Sequence, residues 1–395
     1  MKIGVLCRYS FPEGMAPTTR IIAYCKGLKE NGVTSEIYSF ASLVDNQGIP
    51  LKGDIFGVPF KHSHLWHSKK NKLYKFLFDR PKIMANCIKD IIASNKKEPF
   101  DFILLSFDEI PLLKYYVPRL KKKGFRLLFI GDEYPEPIRQ LKTEVPSDMI
   151  EQYKKIYRQI DGRILMTEAL QNFYDSNICP KPTFIMSNIL DEDRFSIIKK
   201  HTNFKPILVY MGNMALAKDN VDNIIKAFNI IKAEFPDLEL HLYGSPCDND
   251  KKTVMNLILS LNLENRIFFK GRIGYKEVPQ TLCDATILVT SQPNTKRAEG
   301  GFPTKMGEYM MSHTPMLVTD VGEIHNYVQD GVTTFMVPPE APKAYADKLR
   351  YILTHQEVAE EVADNAYKYA VNHFGCKQVT KPLVKFLGDL KSSLR

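Results

Sequence analysis

Residues 299–318 read EGGFPTKMGEYMMSHTPMLV, a glycine pair and a proline leading into a run that carries a lysine and a carboxylate. Gly300 and Gly301 let the backbone approach a ligand closely, and Pro303 suits the first position of a helix. The first-turn amides of such a helix have no partner inside it, and with the helix dipole they favour an anion. Lys305 and Glu308 lie three apart and share one helix surface, the cation nearer the turn and the acceptor-only carboxylate deeper. The first suits a phosphate and the second a pair of sugar hydroxyls, so the stretch points to a nucleotide-sugar site at residues 301–305 and 308. The plainer reading is an amphipathic helix closed by Pro315 and followed by a strand at Met316–Thr319. Either way the local order is turn, helix, strand.

The same order repeats on both sides. Apolar strand-like runs at 2–7, 35–39, 101–106, 126–130 and 163–166 alternate with helical segments at 18–30, 111–122 and 148–158. A fresh alternation begins with ILVYMG at 207–212 and continues through a helix at 221–234 and a strand at 238–243. It then runs through a helix at 251–261 and strands at 267–270 and 285–290. Strand and helix in regular alternation predict an α/β chain of doubly wound parallel sheets, here two in series with a cleft between them. A polar stretch bracketed by Pro180 and Pro206 is the expected hinge. Residues 358–394 read as helix broken near Gly375.

A chain of 395 residues fits two domains. Its seven cysteines are dispersed without a Cys-x-x-Cys pair, which argues for free thiols in a reducing compartment. The opening run MKIGVLC is too short for a secretory signal, and no segment approaches a membrane span, so the expected location is cytoplasmic. The net charge of +9 calls for an anionic partner. No nucleic-acid-binding motif accompanies the basic residues, which leaves phosphate-bearing substrates and anionic lipid. In residues 61–82, KHSHLWHSKKNKLYKFLFDRPK, lysines and Arg80 interleave with Trp66, Tyr74, Phe76 and Phe78. Two readings stand for it: peripheral contact with the inner face of a membrane, or a solvated loop followed by a core-packed helix. His62, His64 and His67 lack an acidic or cysteine ligand close by in the sequence and read as a surface loop.

Glu308, Tyr309, Met310 and Pro315 to Val318 resemble the signature of the family-4 retaining glycosyltransferases of the GT-B fold. In that family two glutamates flank seven residues, and a small apolar stretch, a turn and a Pro-Val-Val-type strand follow the second. The first glutamate departs from the pattern: Gly300 stands eight before Glu308, and Glu299 is one place out. SNILDEDRF at 187–195 resembles the Pro-Asn-x-Val-Asp-x-x-x-Phe element at the start of the family's second domain. The resemblance implies two Rossmann-like domains, 1–186 on the acceptor side and 187–372 for the nucleotide sugar, with residues 373–395 crossing back to the first.

The family holds the donor diphosphate between an Arg and a Lys in the turn after its first second-domain strand. Lys218 matches the Lys, Asn213 stands where the Arg would be, and Lys305 or Arg297 supplies the missing charge. The implied donor-binding set is Gly14, Asn213, Lys218, Gly244, Arg272, Gly301, Phe302, Pro303, Thr304, Lys305 and Glu308, with the nucleobase near the backbone of Arg272 and Ile273. The candidate catalytic carboxylates are Asp132, Glu133 and Glu299. The pairs Asp191/Asp193 and Asp248/Asp250 do not follow a first-domain strand and read as turns, so neither metal nor cofactor is expected. The implied activity is transfer of a hexose from a nucleotide diphosphate sugar to a glycan or lipid-linked acceptor, with retention, in polysaccharide biosynthesis. The rivals are a nucleotide-sugar epimerase or phosphorylase on the same scaffold, and a non-catalytic sugar-nucleotide-binding protein.

Overall fold

The computed structural model describes residues 1–45, 48–135, 138–139, 147–196, 198–201 and 205–394. Of the expected hinge, residues 197 and 202–204 lie outside the described residues. The chain divides into two compact units, Met1–Asp191 with Cys376–Arg395, and Glu192–Gly375.

The first unit is built on an eight-stranded sheet. Its strands are β1 (Lys2–Cys7), β2 (Thr34–Ser39), β3 (Lys52–Ile55), β4 (Val58–His62), β5 (Phe102–Ser106), β6 (Leu127–Gly131), β7 (Gly162–Leu165) and β8 (Thr183–Ile185). Their spatial order is β3-β4-β2-β1-β5-β6-β7-β8. All neighbours are parallel except β3 and β4 at one edge. Every residue of β1, β5 and β6 is buried. Helices cover both faces of a parallel sheet, and this is why these strands appear in the sequence as unbroken apolar runs.

The second unit carries six parallel strands, β9 (Ile207–Met211), β10 (Glu239–Tyr243), β11 (Ile267–Gly271), β12 (Ile287–Val289), β13 (Met316–Thr319) and β14 (Phe335–Val337). Their order is β11-β10-β9-β12-β13-β14. The chain therefore builds outward from β9 in one direction, returns, and builds outward from β12 in the other. The first sheet does the same from β1 and β5. Ligands of open parallel sheets collect beyond the carboxyl ends of the strands at such reversals.

The edge pair β3 and β4 has no counterpart in the sequence reading. Its two-residue turn, Phe56-Gly57, has positive φ at both positions (54° and 77°), the geometry that matches strand twist in a hairpin. An aromatic at the first of these positions is unusual, and charged residues on β3 hide the strand. β8, β14 and the helix Glu168–Asn177 likewise have no counterpart there, while the helix Arg80–Lys97, with Ile83, Met84, Cys87 and Ile91 buried, is the core-packed helix of the second reading of residues 61–82.

The C-terminal helix Cys376–Ser393 packs on the first helix, Ala16–Glu30. Asn31 Nδ2 donates to Lys377 O at 3.0 Å and to Thr380 Oγ1 at 2.8 Å. At Gly27 a Cβ would lie 2.3 Å from Cys376 O and 2.8 Å from Thr380 Cγ2, so the two backbones meet at a distance that only glycine permits. Gly27→Ala gains up to about 1 kcal/mol of helix propensity and forces the helices apart at a cost of about 1–3 kcal/mol. The expected net result is a lower urea or thermal midpoint, and a raised midpoint contradicts the close contact.

Candidate functional site

The carboxyl ends of β9, β10 and β11 are drawn together by their own backbones. Gly212 N donates to Tyr243 O at 3.0 Å and Gly244 N to Gly271 O at 2.8 Å. Gly244 has φ of +132°, and a Cβ there would stand 1.6 Å from Gly212 O. Glycine is thus demanded twice, by conformation and by space. Asn213 and Arg272 follow these strand ends and are exposed. Asn213 Oδ1 accepts from Ala215 N at 3.2 Å, a side-chain turn that leads into the short helix Leu216–Asp219 carrying Lys218.

Directly after Lys218, Asp219 is buried, with 1 % of its side chain exposed. Lys305 Nζ reaches its Oδ1 at 2.7 Å and Tyr210 Oη at 3.3 Å. Burial pushes the Asp219 carboxyl up; the Lys305 ammonium more than offsets this, with Lys218 adding, and holds it below the usual carboxylate range. Lys305 comes from the helix Thr304–Met311, so this ion pair fastens that helix to the turn after β9. One residue past Glu308, Tyr309 Oη accepts from Met211 N at 2.9 Å and makes a second tie to the same strand end.

Glu308 faces a partner that the sequence reading did not single out. Arg194, from the 3-10 turn Glu192–Arg194, donates from Nη1 to Glu308 Oε1 at 2.5 Å and from Nη2 to Tyr275 O at 3.0 Å. Its guanidinium lies 3.8 Å from the centre of the Tyr275 ring, a stacked cation-π contact. Oε1 of Glu308 is engaged, and Oε2 is the oxygen available to a ligand hydroxyl. Arg194 belongs to the 187–195 element, and its place there was the available clue.

Two local expectations are corrected. Glu299 and Gly300 close a short helix, Lys296–Gly300, capped by Thr295 accepting from Ala298 N, and are not part of the turn. Pro303 is the N-cap and not the first helical residue, which is Thr304. The turn is therefore Gly301-Phe302-Pro303, and no side chain caps the helix it opens. Phe302 is buried, its ring 5.1 Å from that of Tyr327 and 5.5 Å from that of Phe374. It anchors the turn to the core and offers a ligand its backbone alone. Glu299 is about half exposed and accepts from Lys296 Nζ at 2.5 Å.

Gly14, Asp132 and Glu133 lie in the first unit, in the segments after β1 and β6. A Cβ on Gly14 would meet Thr18 Oγ1 at 2.1 Å, and Thr18 Oγ1 donates to Ser10 O, so the loop after β1 folds on itself. Asp132 Oδ1 stands 3.2 Å from Nη2 of the buried Arg20. Burial raises the Asp132 carboxyl above its ordinary pKa, Arg20 opposes this, and Glu133 adds to it. Glu133 pairs with Arg139 at 3.0 Å. Residues 136 and 137, next along this segment, lie outside the described residues. A cavity of about 510 Å3 opens at the carboxyl ends of β1, β2 and β5, walled by Arg8, Phe40, Trp66, Phe76, Arg80 and Glu109 among others. Arg8 and Glu109 form an ion pair across it.

The histidines do not form a plain surface loop. His62 ends β4 and is buried, Nε2 against the backbone of Phe11. His64, His67 and Asp79 bring one possible ligand atom each within 4.8 Å of one another. The acid is twelve residues past His67 in the sequence and is brought beside it by the fold. His67 contacts Asp79 Oδ1 through Nδ1 at 2.6 Å and donates its amide to Oδ2 at 2.9 Å, so the cluster's bonds are made internally. Asp191 is buried against Lys26 Nζ at 2.5 Å, while Asp248 and Asp250 sit in the first turn of the helix Asp248–Ser260.

Lys305→Met leaves Asp219 buried and unpaired, which costs about 3–5 kcal/mol of unfolding free energy at neutral pH. In the wild type the depressed Asp219 pKa contributes stability above the ordinary aspartate value near 4, and this is lost as pH falls through the folded value. In the variant burial alone raises the pKa, so stability is lost as pH rises. The gap between the two proteins in urea unfolding is expected to narrow on acidification, and Asp219→Asn to restore most of the variant's loss.

Residues 191–369 match the family model of glycosyl transferases group 1, nearly all within the second unit. Poly(glycerol-phosphate) alpha-glucosyltransferase of Bacillus subtilis (strain 168) is 22% identical over 291 residues, which is 67% of this chain and 42% of that protein. The chain spans less than half the length of the curated relatives it matches. Sucrose-phosphate synthase of Thermosynechococcus elongatus has a TM-score of 0.75 at 14% identity, over 100% of both chains. HepE of Anabaena, solved in complex with UDP, has a TM-score of 0.71 at 14% identity, over 98% of this chain and 100% of that one. The structural likenesses show the GT-B fold, two α/β domains with parallel sheets. Together with the family match they support the glycosyltransferase group 1 family.

Proposed function

We propose that this chain is a retaining, metal-independent glycosyltransferase that moves a hexose from a nucleoside diphosphate sugar to a glycan or lipid-linked acceptor in polysaccharide biosynthesis. The observation that carries this reading is the uncapped start of Thr304–Met311, tied by Lys305 and Tyr309 to the strand end beside the β9/β12 reversal. The structural likeness to a protein solved with UDP adds support for a nucleotide donor.

In this reading the diphosphate meets the turn and helix start at residues 301–305, where every residue but Pro303 carries an amide N–H, and the ammonium of Lys218. Glu308 accepts the ribose hydroxyls through Oε2 while Arg194 fixes its rotamer, and the base lies near Arg272. The anomeric carbon–oxygen bond to the diphosphate breaks as the acceptor oxygen bonds that carbon on the same face. The acceptor proton passes to the departing phosphate oxygen. Such a step relies on stabilising the charge that develops on the leaving group, which fixed amide dipoles and lysines provide without reorganising. Asp132, with its raised pKa and its partner Arg20, is in this reading the first-unit carboxyl that holds an acceptor hydroxyl, and Glu299 is the carboxylate nearest in sequence to the donor turn.

Incubation with UDP-, GDP- and ADP-sugars is expected to release free nucleoside diphosphate slowly from one of them. Binding without release, or sugar interconversion without release, sinks the transferase reading. Lys218→Ala is expected to weaken nucleoside diphosphate binding about tenfold or more and leave the bare nucleoside unchanged; equal losses remove Lys218 from the phosphate. Glu308→Ala is expected to cost on the order of 2 kcal/mol in affinity for the nucleotide and almost nothing for its 2′,3′-dideoxy analogue. Equal losses for both ligands place Glu308 away from the ribose.

A further inference from the structure

Residues 72–97 form one helical segment with an irregular start: Lys72–Tyr74 is α-helical, Lys75–Asp79 is a π-helix and Arg80–Lys97 resumes the α-helix. Leu73, Phe76, Leu77 and Phe78 are 65, 57, 52 and 59 % exposed. No other run of four large apolar residues within six positions is so exposed among the described residues. Looseness does not explain this. Asn71 caps the first turn by accepting from Tyr74 N at 2.8 Å, and the rings of Tyr74 and Phe78 pack at 4.9 Å. Asp79, directly after the patch, is buried and bound twice by His67. The π-turn and its buried anchor hold the apolar side chains outward.

The charge around them is of one sign. Residues 61–82 contain seven lysines and arginines and one acid, Asp79, which is spent on His67. Lys69, Lys70 and Lys72 are exposed beside the patch, as is Lys82 beyond it. A second copy of this chain would bring like charges together at the same contact, which opposes self-association. Apolar tips ringed by ammonium groups are complementary to a bilayer with anionic headgroups, where the tips enter the acyl boundary and the lysines meet phosphate. The patch is also continuous with the first-unit cavity, since Phe76 and Arg80 line it.

We propose that residues 69–78 are a membrane-docking element that seats the first unit on an anionic lipid surface, with Leu73, Phe76, Leu77 and Phe78 at the headgroup boundary and the cavity opening beside it. This goes beyond the transfer reaction and does not rest on it. The full chain is tested by co-sedimentation with phosphatidylcholine vesicles containing 30% phosphatidylglycerol, and with phosphatidylcholine alone. The expected result is at least tenfold stronger partitioning onto the anionic vesicles, weakened by added salt. Leu73→Ser/Leu77→Ser/Phe78→Ser and Lys69→Glu/Lys70→Glu/Lys72→Glu are each expected to lower that partitioning tenfold or more with unchanged circular dichroism and melting midpoint. The proposal is overturned if the wild-type chain stays in the supernatant or if both variants bind as it does. A dimer that the variants abolish while vesicle binding persists overturns it as well.

Discussion

The buried ion pair between Lys305 and Asp219 sets the geometry of the second unit's working edge. A carboxylate with almost no exposed surface pays a large desolvation penalty unless a cation stands against it. The cation here arrives from a helix 86 residues away in sequence. The pair therefore does more than offset a charge: it determines where Thr304–Met311 begins relative to β9. Gly212 lies within this arrangement, since a Cβ there would meet Tyr210 Oη at 2.3 Å and Lys305 Nζ at 2.8 Å. Strand end, helix start and lysine have one compatible packing.

Around that fixed point the other contacts act in series. Tyr309 holds the amide of Met211 and so orients the turn that presents Asn213 and Lys218. Arg194 grips Glu308 and is itself stacked on Tyr275. A long, flexible glutamate would otherwise sample several rotamers, and the guanidinium removes that freedom before any ligand arrives. In the first unit Arg20 and Asp132 make a looser version of the same device, with a buried cation beside a carboxyl that keeps part of its surface in water.

The doubly wound architecture was legible because its central strands are apolar on both faces, and the runs at β1, β5, β6 and β9 stand out against helical periodicity. The glycine–proline turn and the Lys305/Glu308 spacing were legible because helix geometry fixes which neighbours share a face. What escaped was decided by distance along the chain. Arg194 and Glu308 are 114 residues apart, and no local pattern links them. Asp219, beside Lys218 at the end of a short helix, has the sequence signature of an ordinary polar residue, and only its burial sets it apart. The cavity wall at Trp66 and Phe40 is assembled from segments far apart in the chain, after β1, β2, β4 and β5 and along the helix from residue 72, and has no sequence signature of its own. Very short elements such as β8 and β14, three residues each, fall below the length at which alternation can be recognised.

The hairpin at the edge of the first sheet has a consequence for the protein's behaviour in a crowded solution. A parallel sheet that ended on β4 would offer a neighbouring chain an unsatisfied row of amides and carbonyls. Instead the chain folds β3 back antiparallel over that row, and β3 is only four residues long, largely exposed, and carries Lys52 and Asp54. A short, charged, outermost strand gives little purchase to an incoming strand, so the hairpin works as a terminator that keeps this large sheet from polymerising through its rim.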